Sequence, residues 1–190
     1  MFDFSQYEDK LKNEIGLKRY KHCFRVKDMA LKINDKTNSK IDKVKIIKAS
    51  LLHDCAKYNE DYYLEKYKKF CDFPKEVIEN KAVLHSFLGK IVAKKEYNIN
   101  DEEVLDAIKY HTTGKENMSN LEKIIFLADA CEIERSYPGV DEIRNLAYEN
   151  LDKAVLKSLD GNIKSLIDRK MSIFPLTIDA RNYLLKEKNG

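Results

Sequence analysis

Four histidines stand in the chain, His22, His53, His85 and His111, and their neighbours place all but His53 on apolar helical faces. His22 lies four residues before Val26 and seven before Met29; His85 aligns with Leu88 and Val92, and His111 with Val104 and Ile108. Two carboxylates keep the same company. Asp54 follows Leu51 by three residues and Ile47 by seven, and Asp129 sits inside the run Ile-Ile-Phe-Leu-Ala-Asp-Ala. A carboxylate turned towards a core must be paired, hydrogen-bonded or metal-bound, because an isolated buried charge costs several kcal/mol. Neutral imidazoles and carboxylates are together the ligands suited to iron, manganese, cobalt or zinc. The adjacent His53 and Asp54, at a helix C-terminus, can both face one ion if the last turn loosens. Taken singly, each residue has a plainer role: a lone histidine on an apolar face is usually a satisfied core residue, and a lone inward aspartate a cap or half an ion pair. Spacing alone does not separate a metal centre from packed histidines.

The elements that must position these groups are helical. Apolar residues recur at intervals of three and four, and the chain has only three prolines and six glycines. This predicts an all-α fold, with one domain over residues 1–190, because no Ser/Gly/Pro linker, repeat or low-complexity tract divides it. Ser5 with Glu8 reads as a capping box, and a second helix is expected from about Leu17 to Asn34, burying Val26, Met29, Ala30 and Ile33. Ser39 with Asp42 precedes a third, built on Ile41, Val44, Ile47 and Leu51 and ending near Asp54. Another centres on Val83–Val92. Asn100 with Glu103 starts a helix through Val104, Ile108 and His111, which Gly114 closes in the left-handed conformation. Ser119 with Glu122 opens Ile124–Ala130. Two helices over about Asp141–Asp168 follow the Tyr137-Pro138-Gly139 turn, and a last one follows Pro175.

Composition narrows the function classes. Hydrophobic residues make up 43%, enough for a core, while 35 Lys+Arg against 32 Asp+Glu leave a net charge of +3. That is a solvated surface rather than a nucleic-acid binder, so no nucleic-acid partner is expected. No apolar run approaches the ~20 residues of a membrane span, so no membrane partner is expected either. Cys23, Cys55, Cys71 and Cys131 form no C-x-x-C pair, which argues against a thiolate zinc site, and Met1–Asp9 is mixed and acidic rather than secretory in character. Reduced thiols and a cytoplasmic protein are the expectation. Eleven Tyr and eight Phe exceed what a lone core obviously needs and leave room for a homodimer.

In chain order, His22, the His53-Asp54 doublet and Asp129 after an apolar helix resemble the signature of HD-domain phosphohydrolases. Further segments narrow the match: Arg19-Tyr20-Lys21-His22 with Val26, Leu52-His53-Asp54-Cys55-Ala56-Lys57, and His111-Thr112-Thr113-Gly114. Ala128 to Arg135, Tyr137-Pro138-Gly139-Val140 and Pro175 to Asn182 continue it. Together they are similar to the bacterial YqeK-type symmetrical bis(5′-nucleosyl)-tetraphosphatases, which cut diadenosine tetraphosphate into two ADP. The resemblance runs from about Arg19 to Leu185. Cys55 departs from it, standing where an aromatic or small residue is common, and Glu134 precedes Arg135 where a proline is common nearby.

The resemblance implies an HD-domain helical bundle with its core over about residues 17–135 and helices over 141–188 packing on it and closing the site. It implies a divalent transition metal, iron first and one or two ions, on His22, His53, Asp54 and Asp129, with manganese, cobalt or zinc as alternatives. His85 and His111 would hold a second metal or contact phosphates. Arg19, Lys57, Thr112 and Arg135 would line the nucleotide phosphates, within reach of His22, and Ser172, Ile173, Phe174, Pro175, Leu176 and Thr177 would close over the nucleotide. Asp54 and Lys57 would be catalytic, Asp54 by holding metal and Lys57 by stabilising charge on the phosphate oxygens. Outside that resemblance the cations read as solvated surface charges and Thr112 to Gly114 as a helix stop. Two other classes compete: an HD-type nucleotide phosphatase or phosphodiesterase of different substrate choice, and a non-catalytic metal- or nucleotide-binding module. The complete ligand set argues against the latter. A helical interaction protein whose histidines merely pack is a third.

Overall fold

Helical periodicity becomes ten α-helices among the described residues, with no strand. The computed structural model describes residues 4–189, so the ends of the expected 1–190 domain lie outside the described residues. Helix α1 (Ser5–Thr37) joins the two helices expected there, with a bend at Gly16, whose φ of +75° and ψ of 157° leave the helical path. Only glycine takes that conformation without a Cβ penalty, so the sequence break is real although hydrogen bonding spans it. The N-cap is Phe4 without a side-chain cap, so the Ser5–Glu8 box does not form.

Helix α2 (Lys43–Leu52) starts on Asp42, which accepts the Val44 N–H at 2.8 Å, rather than on Ser39. Helices α3 (Glu60–Lys66) and α4 (Lys75–Ile78) are short and were not anticipated. After α5 (Lys81–Glu96), helix α6 (Glu102–Tyr110) is capped by Asp101 rather than Asn100. In both shifted caps a carboxylate beside the helix N-terminus gains a hydrogen bond and a favourable dipole, which a neutral Ser or Asn one or more residues earlier does not match. Helix α7 (Asn120–Cys131) does begin with the reciprocal Ser119–Glu122 box. Helices α8 (Val140–Glu149) and α9 (Leu151–Asp168) are separated at Asn150, whose extended backbone and side-chain cap restart the chain, and α10 (Pro175–Asn189) follows.

Helix α7 is the axis of the bundle. It packs against α1, α2, α6, α8 and α9. Leu121, Ile124, Ile125, Phe126, Leu127, Ala128 and Cys131 are all buried on it, as a helix apolar on most faces requires. Around it, α2 packs on α1 and α6, and α5 packs on α6. Each fully buried aliphatic side chain, such as Val26, Ile33, Leu52 or Leu88, contributes about 1.5–3 kcal/mol through removal from water. That packing holds five separate segments in fixed relation. Helix α10 lies on α9 and reaches the loop after α6, where Ala180 faces Gly114. Among the described residues no helix is long and apolar enough to cross a membrane.

Candidate metal centre

Helix α2 ends one residue before His53, and tight turns replace its helical hydrogen bonds. Cys55 N–H donates to Leu52 O at 3.1 Å and Lys57 N–H to Asp54 O at 2.9 Å. This loosening turns the neighbouring His53 and Asp54 into one cavity, where they are 0% and 1% exposed. His22 enters from α1, His85 from α5, His111 from the residue after α6 and Asp129 from α7. The histidines are buried, and Asp129 keeps a side chain 23% exposed to solvent.

The six groups converge. His22 Nε2 lies 2.9 Å from Asp129 Oδ1, and His53 Nε2 lies 3.9 Å from the same oxygen and 3.3 Å from Asp54 Oδ2. Asp54 Oδ1 faces His85 Nε2 at 3.1 Å and His111 Nε2 at 3.7 Å, and the two imidazole nitrogens are 3.3 Å apart. Two triads therefore each gather three ligand atoms within 4.8 Å of one another: His22, His53 and Asp129, and His53, Asp54 and His111.

Hydrogen bonds set the tautomers. The Nδ1 atoms of His53, His111 and His85 lie 2.7, 2.7 and 3.4 Å from the carbonyls of Ser50, Ile108 and Lys81. An Nδ1–H donated to a carbonyl leaves the Nε2 lone pair pointing into the cavity, the arrangement of a metal-ligating imidazole. His22 follows the same rule with a carboxylate, its Nδ1 lying 3.2 Å from Glu132 Oε1. A cation fits this donor set on independent grounds: His53 Nε2 and Asp54 Oδ1 are buried polar atoms without a hydrogen-bond partner, in a place where orphaned polar atoms are costly.

Charge follows from surroundings. Burial works against ionisation of both aspartates, yet both sit well below the usual carboxylate range, Asp54 through His53 and the other imidazoles and Asp129 through His22 and His53. Burial takes His111 down to about 4, so it is neutral at physiological pH. For His53, burial is outweighed by Asp54, and its pKa is raised. Two fixed anions among imidazoles make a cavity complementary to a divalent cation.

Cations ring the opening. Arg19 Nη1 donates to Asp54 Oδ2 at 3.0 Å, Lys57 Nζ lies 3.4 Å from Asp54 Oδ1, and Arg135 Nη2 donates to Asp129 Oδ1 at 2.7 Å. Thr112 Oγ1 sits 3.1 Å from His111 Nε2 and 3.5 Å from His85 Nε2. Thus Arg19, Lys57, Thr112 and Arg135 all stand at the cavity. The segment 172–177 stands further off: Phe174 packs edge-on against Phe87, ring centroids 6.2 Å apart, two residues along α5 from His85. Thr177 is buried, while Ser172 and Pro175 are exposed.

Several supporting residues escaped sequence reasoning. Glu132 orients His22 and is itself held by Arg25 Nε at 2.8 Å. The signal for it was modest: Glu132 follows Asp129, and Arg25 follows His22, by three residues each, one helical turn. Arg144 donates to the carbonyls of Cys131, Glu132 and Arg135 at 2.8, 2.9 and 2.5 Å, pinning the loop that carries Arg135. Nothing in the sequence distinguishes Arg144 from a surface cation.

Comparison with known proteins covers the stretch of chain that carries these residues. The model of the HD domain family matches residues 19–134. A symmetrical bis(5′-nucleosyl)-tetraphosphatase of Staphylococcus aureus is 36% identical over 175 residues, covering 90% of this chain and 89% of its own length. The Bacillus subtilis protein of the same description is 31% identical over 176 residues, covering 92% and 94%. A crystal structure from Clostridium acetobutylicum, described as a predicted HD superfamily hydrolase involved in NAD metabolism, superposes with a TM-score of 0.91 at 43% identity. It covers 98% of this chain and 99% of that one.

Proposed function

The chain belongs to the HD-domain family, and from that premise we propose that it is a metal-dependent hydrolase cutting diadenosine tetraphosphate symmetrically into two ADP in the cytoplasm. The observation that carries the reading is the pair of orphaned buried lone-pair atoms, His53 Nε2 and Asp54 Oδ1, inside a ring of cations. The lone pairs suit a divalent ion, and the cations suit a polyphosphate. Relatives named for this reaction match about nine-tenths of the chain at 31% and 36% identity.

His22, His53, Asp54 and Asp129 would hold the ion, iron by preference, with His85 and His111 supplying a second ion or the phosphates. Such an ion lowers the pKa of water and offsets phosphate charge. The rest falls to the chain's own side chains. Asp54 and Asp129 stay ionised without bulk water because imidazoles and guanidinia surround them. Arg19, Lys57 and Arg135 lie against those carboxylates, and their charge would serve the bridging phosphates of a bound substrate. Charge that grows on the equatorial and leaving oxygens then meets preorganised donors, the dominant contribution in phosphoryl transfer. ADP leaves as a stable anion and needs little protonation. Thr112 would complete the phosphate lining. The segment Ser172 to Thr177, anchored through Phe174 on Phe87, would close over the nucleoside, with helices α8, α9 and α10 backing the core.

The test is a panel of nucleotides assayed for products with metal-replete protein. Two ADP from each diadenosine tetraphosphate is the expected result. Inorganic phosphate released from mononucleotides, with the tetraphosphate untouched, would assign the site to a phosphomonoesterase instead.

A further inference from the structure

Beyond the metal and phosphate groups, the structure assigns a nucleobase platform to Tyr58, an inference that rests on the nucleotide reading above. Tyr58 is 64% exposed and follows Lys57, whose Nζ stands 3.4 Å from Asp54 Oδ1. Its backbone is left-handed, at φ +71°. It ends the run of turns that presents His53 and Asp54, with Asn59 N–H returning to Ala56 O at 3.3 Å. Glycine or asparagine is the usual occupant of such a turn-closing position, because a bulky side chain brings a Cβ penalty. The chain places there a large aromatic that contributes nothing to the core. Backbone strain held beside a catalytic centre points to a role there rather than in folding.

Contacts explain what the ring is for. Arg19 Nη2 donates to the Tyr58 hydroxyl at 3.3 Å, and the guanidinium carbon lies 5.9 Å from the ring centroid. The same guanidinium donates through Nη1 to Asp54 Oδ2 at 3.0 Å. One arginine therefore ties the ring's polar edge to the metal-binding carboxylate while most of the ring stays open to solvent. Asn59 Nδ2 fastens the next residue to Glu14 O at 2.7 Å, which ties this turn to α1. An open aromatic face held beside phosphate-binding cations suits a ligand with a flat heterocycle joined to phosphates. Stacking reads the π-face common to all bases, so the platform accepts adenine and guanine alike.

The chain contains no tryptophan, so Tyr58→Trp creates a single emitter at the proposed contact. With metal-replete protein, ADP and GDP are expected to quench its emission, and inorganic pyrophosphate, at concentrations that inhibit turnover, is expected to leave it unchanged. Tyr58→Gly is expected to raise KM for diadenosine and diguanosine tetraphosphate about tenfold, equivalent to about 1.4 kcal/mol, with kcat changed less than about threefold. Its melting temperature should equal or exceed that of the parent, since the backbone strain is relieved. ADP that inhibits without quenching, pyrophosphate that quenches as strongly as ADP, or an unchanged KM in Tyr58→Gly would each overturn the platform alone. Failure of the unsubstituted protein to cut the tetraphosphate would overturn the nucleotide reading and the platform with it.

Discussion

Glu132→Gln probes the metal centre from outside its ligand set. The Glu132 carboxylate is 3% exposed and serves four donor atoms: His22 Nδ1 at 3.2 Å, Arg25 Nε at 2.8 Å, Arg25 Nη2 at 3.5 Å and the Glu134 N–H at 2.8 Å. An amide of the same shape keeps one acceptor oxygen and turns an NH2 group towards at least one of those donors. Arg25 retains Glu134 at 2.9 Å, so the imidazole bears the loss. Replacing a charge-assisted bond by a neutral one, with a donor facing a donor, costs about 1.5–3 kcal/mol. If nearly all of that is felt by His22 as a ligand, metal affinity falls about 10–100-fold, the range typical of partners behind a ligating histidine. Competition against a chromophoric chelator measures it, and a thermal melt of the metal-free protein controls for folding. Wild-type metal affinity in a folded Glu132→Gln protein would refute the assignment of His22 as a ligand oriented by Glu132.

Other expectations follow from the same geometry. Asp54→Ala should remain folded, lose bound metal and lose at least about 10³ in turnover, because it removes the carboxylate that both triad and cations share; normal turnover with normal metal content would contradict the mechanism. Glu96, where burial is outweighed by Lys66, Tyr67 and Lys10, has its pKa lowered to about 2. A depressed carboxylate contributes stability that is present above its unfolded value near 4.5 and lost as pH falls through about 2. Glu96→Gln should therefore melt lower than the parent at pH 6, by a few degrees, with the difference closing between pH 4.5 and 2; a gap independent of pH would refute it. Gly114 has φ +66°, and a Cβ there would meet Ala180 Cβ at 3.1 Å and Met118 Sδ at 3.3 Å. Gly114→Ala should cost about 1–3 kcal/mol in a chemical-denaturation midpoint, through strain and crowding together; an unchanged midpoint would contradict the packing of α10 on this loop.

Strongly periodic segments were legible from sequence. The Ser119–Glu122 box, the inward faces around His22 and His111, and the left-handed close at Gly114 all follow from local rules and appear as expected. Caps were misplaced where a carboxylate stood one to three residues beyond the expected cap, because Asp42 and Asp101 compete electrostatically and single-residue rules do not weigh that contest. The short α3 and α4 had no sustained period to announce them. Convergence was the harder inference. His22, His85 and His111 faced inward by pattern, but only tertiary packing brings His85 Nε2 to 3.1 Å from Asp54 and Arg135 to Asp129. Glu132, Arg25 and Arg144 were missed for the same reason: their partners lie on other elements or on loop carbonyls, and local spacing carries no record of them.

The most direct measurement is to titrate iron or manganese into metal-stripped protein and follow bound ions per chain together with ADP released from diadenosine tetraphosphate. Imidazoles and carboxylates gathered from five segments should make ADP release climb in proportion to occupancy and level off once the cavity is full. Full release of ADP by protein that holds no ion would contradict a cation-dependent site built on His53 and Asp54.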